Sequence, residues 1–155
     1  MNLLIIGAGQ YGLVAKEIAE ELGYHVDFLD DNNELAIGKP SEVDHFQGDV
    51  VVAIGNPDVK KKYISELKDR LVSLVSPRAY VAPSARIGAG CIVEPMAVVN
   101  TGARLGDGCF VSAGAVVNHN CVVGNYSHVD CNATVMKSAV VPEEAKINSN
   151  TSFSG

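Results

Sequence analysis

Two histidines stand in an otherwise uncharged stretch, Val117-Asn118-His119-Asn120-Cys121-Val122-Val123-Gly124-Asn125-Tyr126-Ser127-His128-Val129. An imidazole, with an ordinary pKa of about 6.5, is the side chain best suited to accept a proton near neutral pH. A second candidate lies at the start of the chain. Gly7-Ala8-Gly9-Gln10-Tyr11-Gly12 follows an apolar run and opens a helical pattern, and Asp30 stands 18 positions after Gly12. Glycines let the backbone approach a phosphate, and a helix N-terminus attracts negative charge, so the spacing suits a nucleotide. The alternative is a tight strand-to-helix turn with Asp30 and Asp31 in a solvated loop. His25 and His45 carry no such context. The four cysteines include no CxxC pair and no zinc-ligand spacing, so no metal is expected.

The elements that must position these residues fall into two kinds. In the N-terminal part, Asn2–Ile6, His25–Leu29 and residues 49–54 read as strands, with residues 71–75 as a fourth. Between them run a helical pattern ended by Gly23 and a helix opened by Asn56 as N-cap and Pro57 at its first position. Alternating strands and helices predict a parallel sheet, with ligands at the C-terminal strand ends.

The C-terminal part repeats every six residues. Each sixth residue from Val81 to Ile147 is aliphatic, and four places after each stands Ala, Cys, Ser or Thr, from Ala85 to Thr151. Gly88, Gly106 and Gly124 add a coarser period of 18. Neither a helix nor an alternating sheet makes this pattern. A parallel β-helix does, with one short strand per hexapeptide and the aliphatic residue inward. Four coils are expected over residues 81–152, starting at Val81, Val99, Val117 and Val135. Cys91 and Cys109 should stack in adjacent coils, Cys121 should occupy the same register on another face, and Cys131 falls outside it. His119 and His128 lie half a coil apart, so they can share a site only where one chain packs against another.

Composition agrees with this division. Residues 1–80 hold 21 of the 30 charged residues and nine of the ten leucines, which suits helices; residues 81–155 hold 13 valines, which suits strands. The division is therefore a Rossmann-like domain over 1–76 and a hexapeptide-repeat domain over 77–155. A net charge of -6 disfavours a general nucleic-acid binder. No apolar run reaches the ~18 residues of a membrane span. Four cysteines without a secretory signal lead to the expectation of reduced thiols in the cytoplasm.

The loop Gly-Ala-Gly-Gln-Tyr-Gly, with Phe28-Leu29-Asp30-Asp31, Ala53-Ile54-Gly55-Asn56 and the two-histidine stretch, resembles one family. These are the bacterial acetyltransferases of nucleotide-linked amino sugars and of sialic acid, which join a Rossmann-like α/β unit to a left-handed parallel β-helix. The resemblance runs from residue 1 to about residue 134. It implies an acetyl-CoA-dependent acetyltransferase and a homotrimer with sites between subunits. The N-terminal domain would take a sugar nucleotide through Gly9, Gln10, Tyr11, Asp30, Asp31 and Gly55. His119 would be the general base, and His128 of a neighbouring chain would approach the acetyl-CoA. Two departures stand out. The acidic residue that usually follows the base is Asn120 here, which can orient the ring but adds no charge. After residue 134 the chain leaves the family pattern and is shorter than expected. A trimeric sugar-nucleotide-binding module without catalysis is the alternative. A zinc enzyme on the same coil would need three histidines in reach, and residues 81–155 hold two.

Overall fold

The computed structural model describes residues 1–155. The first part is a four-stranded parallel sheet in the order β3-β2-β1-β4, with β1 at Asn2–Ile6, β2 at His25–Leu29, β3 at Ala36–Gly38 and β4 at Asp49–Val52. Helix α1 (Gln10–Glu21) covers one face, burying Ala15, Ile18 and Ala19 with Leu3, Ile5 and Val51. Helix α2 (Pro57–Glu66) covers the other, placing Ile64 with Leu4, Ile6, Val50 and Val52. Strands buried on both faces explain why β1 and β4 are apolar runs with no alternation. Asn56 caps α2 as expected, its Oδ1 accepting from the backbone N–H groups of Asp58 (3.0 Å) and Val59 (3.2 Å).

The second part is a parallel β-helix of two-residue strands, from β5 (Leu74–Val75) to β18 (Ser152–Phe153), stacked into three ladders. The aliphatic row and the small-residue row both point inward and form one continuous core. Cys91, Cys109 and Cys121 are buried free thiols, whose Sγ atoms donate to Gly106 O (3.1 Å), Gly124 O (3.2 Å) and Met136 O (2.8 Å).

Two expectations are corrected. Residues 71–75 do not form a fourth strand of the first sheet: Leu71 makes one isolated bridge to Val50, while Leu74 and Val75 pair with Ile92 and Val93 in the β-helix. The Ser73 hydroxyl decides this, donating to Gly88 O at 2.6 Å and accepting the Cys91 N–H at 2.9 Å. The fourth position in the sheet is taken by the short edge strand β3. The coils also begin before Val81, because Val75 pairs with Val93 and packs on the same core. The turns share one backbone conformation. Gly90, Met96, Gly102, Gly108, Gly114, Asn120 and each sixth residue on to Asn150 have positive φ. Glycine and asparagine tolerate that region best, which explains their frequency there.

The two parts meet along one column of outward residues: Leu74, Ile92, Phe110, His128 and Lys146 are register partners in successive coils. The first three are fully buried beneath α1 and the sheet. His128 is the first member of the column to reach the edge of that cover, and its side chain is 20% exposed. No helix is long and apolar enough to cross a membrane.

Candidate active site

The glycine loop is held by the end of β2. Asp30 Oδ2 accepts the Ala8 N–H at 2.9 Å, its Oδ1 accepts the Asn32 N–H at 2.9 Å, and the Asn33 amide donates to Ala8 O at 2.9 Å. These backbone donors, Ala8 first, hold the Asp30 carboxyl below the usual carboxylate range. Asp30 thus shapes the loop and presents only its remaining lone pairs to a ligand. Asp31 is exposed and lines a cleft of about 160 Å³ with Gly7, Asn32, Pro40, Ile54 and Tyr63. Gly9 and Gln10 are exposed at the start of α1, where Gly9 is the N-cap and no side chain satisfies the first-turn N–H groups. That leaves donors free for an anionic group.

Tyr11 points the other way, across the seam between the two parts. Its ring stacks on Phe110 with centroids 4.4 Å apart and meets His128 edge-on at 5.9 Å. Its hydroxyl donates to Glu94 Oε2 at 3.2 Å. Burial, reinforced by the Glu94 charge, pushes the phenol pKa well above its ordinary value, so Tyr11 stays a donor at any working pH. The family resemblance implies Tyr11 as a substrate contact; its ring also joins the two domains through the stack on Phe110. Gly55 belongs to this side as well. It lines a cleft with Pro57, Lys60, Tyr126, His128 and Lys146, separate from the one holding Asp30 and Asp31.

His128 Nε2 lies 2.7 Å from Ser112 Oγ and 3.7 Å from Asp130 Oδ1. Burial is the largest influence on the ring and pushes its pKa down to about 4; Asp130 opposes this, while Lys60 and Lys146 assist it. At neutral pH the imidazole is therefore uncharged, and its approach to Asp130 is a polar contact, not an ion pair. Lys146 takes that carboxylate instead, at 3.5 Å.

His119 occupies a different corner, between β12 (Val116–Val117) and β13 (Val122–Val123), which belong to different ladders. Its backbone N–H is held by Asn118 Oδ1 at 2.8 Å, and its ring makes no side-chain hydrogen bond within the protomer. Asn120 makes no hydrogen bond to that ring. Its backbone is left-handed, with φ 60°, and its side chain lies over Gly102 in the preceding coil. The structure therefore brings Tyr11, Gly55 and His128 together, sets Asp30 and Asp31 at a neighbouring cleft, and leaves His119 apart. No group of three or more His, Cys, Asp and Glu is placed to hold a metal.

Sequence reasoning missed Lys60, Glu94, Phe110, Ser112 and Asp130. One signal could have found Phe110. The residues just before the inward row, taken every 18, read Leu74, Ile92, Phe110 on one face but Arg86, Arg104 on another. The apolar column marks the face that must be covered.

The fold is thus a parallel α/β unit with a glycine loop at its first helix, docked on a hexapeptide β-helix. Residues 2–67 match the family described as the PglD N-terminal domain, and residues 102–137 match the bacterial transferase hexapeptide family of six repeats. Among solved structures, the chain is similar to the acetyltransferase domain of PglB from Neisseria gonorrhoeae FA1090 (27% identity, TM-score 0.88, covering 99% of this chain and 91% of that one). The same domain in complex with acetyl coenzyme A matches at 28% identity and TM-score 0.86, covering 97% and 92%. The fold also matches a histidine-to-asparagine variant of perosamine N-acetyltransferase from Caulobacter crescentus in complex with CoA and GDP-perosamine (21% identity, TM-score 0.69, covering 98% and 90%). Together these matches support a bacterial sugar acetyltransferase of the hexapeptide left-handed β-helix kind.

Proposed function

We propose that this protein transfers the acetyl group of acetyl-CoA to an amine or hydroxyl of a nucleotide-activated amino sugar or a sialic acid, in a groove completed by a second protomer of a homotrimer. The observation that carries this reading is the separation of the two histidines: His119 opens from a corner between two ladders, while His128 sits under the N-terminal domain on the third. One protomer offers a free imidazole with no ligand cleft beside it, and a cleft whose own imidazole is half-buried and neutral. Packing two protomers side by side supplies both. The acetyl-CoA bound to the gonococcal domain supports the donor, and the GDP-perosamine bound to the Caulobacter enzyme supports the acceptor class.

The glycine loop and Asp31 hold the sugar nucleotide, and His119 takes the proton as the acceptor atom attacks the thioester carbonyl. The new bond to the acetyl carbon forms, the C–S bond breaks, and the CoA sulfur leaves with the electron pair and is protonated. A positioned imidazole contributes about 10²–10⁴-fold to such a step. CoA supplies the activated acyl group, so no protein nucleophile is required. His128, neutral and anchored by Ser112, faces the acetyl-CoA side.

Acetyl-CoA consumption over a panel of UDP- and GDP-amino sugars tests the activity. Co-expression of His119→Ala with His128→Ala chains tests the shared groove. Mixed trimers recovering activity that neither variant has alone is the expected result; no recovery would refute the shared site. A protein that binds the sugar nucleotide but never consumes acetyl-CoA would be the binding module instead.

A further inference from the structure

Lys60 is 1% exposed and borders a cleft that it lines with Gly55 and His128, and its ammonium is paired with no carboxylate of the protein. Its Nζ sits 3.8 Å from the centroid of the Phe110 ring, whose other face is taken by Tyr11. Phe110 in turn meets His128 edge-on at 5.8 Å. Phe110 is thus gripped between α1 and α2, with a positive charge on one side and the imidazole at its edge. A ring face partly compensates a desolvated cation, and the rest of the charge is felt by its neighbours.

We propose that Lys60 is an electrostatic positioning residue for the acetyl-transfer site: its ammonium, locked over Phe110, keeps His128 a neutral imidazole when anionic ligands enter the cleft. The proposal rests on the acetyltransferase reading for its purpose but not for its physics. The groups facing His128 are Tyr11 from α1, Lys60 from α2, Ser112 after β11 (Phe110–Val111), Asp130 after β14 (His128–Val129) and Lys146 on β17 (Lys146–Ile147). Glu94 is tied to the Tyr11 hydroxyl, and Glu144, which lines the same cleft, faces Lys61 at 3.7 Å. Asp130 draws a proton toward the ring, and the phosphates of CoA and of a sugar nucleotide would do so more strongly. Lys146 is exposed and already shared with Asp130. Lys60 is the one buried cation left to oppose them. Burial also lowers its own pKa to about 8, so it remains charged over the range where His128 titrates.

The test is an NMR titration of the His128 ring in the full-length protein, the signal assigned by its loss in His128→Gln. Lys60→Met keeps the aliphatic stem and removes the charge; Lys60→Gln is a second neutral variant, and circular dichroism checks that each is folded. One charge at ~10 Å or less, at an effective dielectric of about 20, moves a midpoint by about one pH unit, or tenfold in the protonation constant. The His128 midpoint is expected to rise by about that much in both neutral variants and to return in Lys60→Arg. With CoA bound, the rise should be larger, and the acid limb of the transfer rate should move with it. Unchanged midpoints in the neutral variants, or equal shifts in Lys60→Arg and Lys60→Met, would overturn the proposal. Because the titration needs no turnover, a negative result leaves the acetyltransferase reading intact.

Discussion

Asp30 at the end of β2 accepts the backbone N–H of Ala8 at 2.9 Å, across 22 residues of sequence, and so fixes the glycine loop from the neighbouring strand. The acid of a nucleotide fingerprint is here partly a structural residue of its own loop. Its carboxyl lies below the ordinary range in the folded state, chiefly because of the Ala8 N–H. A group depressed on folding contributes stability above its unfolded pKa of about 4, and the contribution is lost as pH falls through the lower folded value. Asp30→Ala should therefore weaken sugar-nucleotide binding through loop disorder and cost about 1–2 kcal/mol at pH 7, with the difference from wild type shrinking below about pH 4. Urea denaturation at pH 7 and pH 3 measures both. Equal differences at the two pH values would show that the carboxylate charge is not what holds the loop.

His119→Ala should leave the fold and sugar-nucleotide binding intact. The ring makes no side-chain hydrogen bond and lies outside both inward rows, so stability should change by no more than about 0.5 kcal/mol. Acetyl transfer should fall at least about 100-fold. Steady-state rates with calorimetric binding in parallel decide it: retained activity would remove His119 as the base.

Tyr11→Phe and Tyr11→Ala should separate the two ways this residue joins the domains. Phenylalanine keeps the stack on Phe110 but leaves the Glu94 carboxylate, 9% exposed, without its phenol donor, at a cost of about 1–3 kcal/mol. Alanine also opens a cavity at the seam and should cost about 3–5 kcal/mol. Thermal unfolding gives the order; equal losses would mean the hydroxyl contributes everything and the stack nothing.

Gly88→Ala should destabilise the β-helix by about 1–3 kcal/mol, because a Cβ there would lie 2.7 Å from the backbone carbonyl carbon of Gly106 in the next coil. Gly9→Ala, where an added Cβ meets nothing within 4 Å, should leave stability nearly unchanged. Chemical denaturation of the pair compares a packing glycine with a loop glycine. A tolerated Gly88→Ala would show that neighbouring coils can spread at that corner.

The hexapeptide period made the β-helix legible, because an inward row every six residues and a small row four places later admit few other geometries. Strands β1, β2 and β4, the cap at Asn56 and the glycine loop were legible for a similar reason: each depends on residues within about a turn of one another. Where residues 71–75 would pair was not legible. An apolar run suits either sheet, and the Ser73 hydroxyl bridging to Gly88 and Cys91 settles it. The roles within the site were still less legible. Tyr11 reads as a loop residue until Phe110, 99 positions away, takes its ring. Lys60 looks like one lysine of a solvated Lys60-Lys61-Lys62 run until docking buries it over that same ring. Local spacing determined which elements form and which side chains could do chemistry. Only the docking of one domain on the other decided which of them lose water, and with it their charge states and partners, because desolvation depends on what covers a residue from elsewhere in the chain.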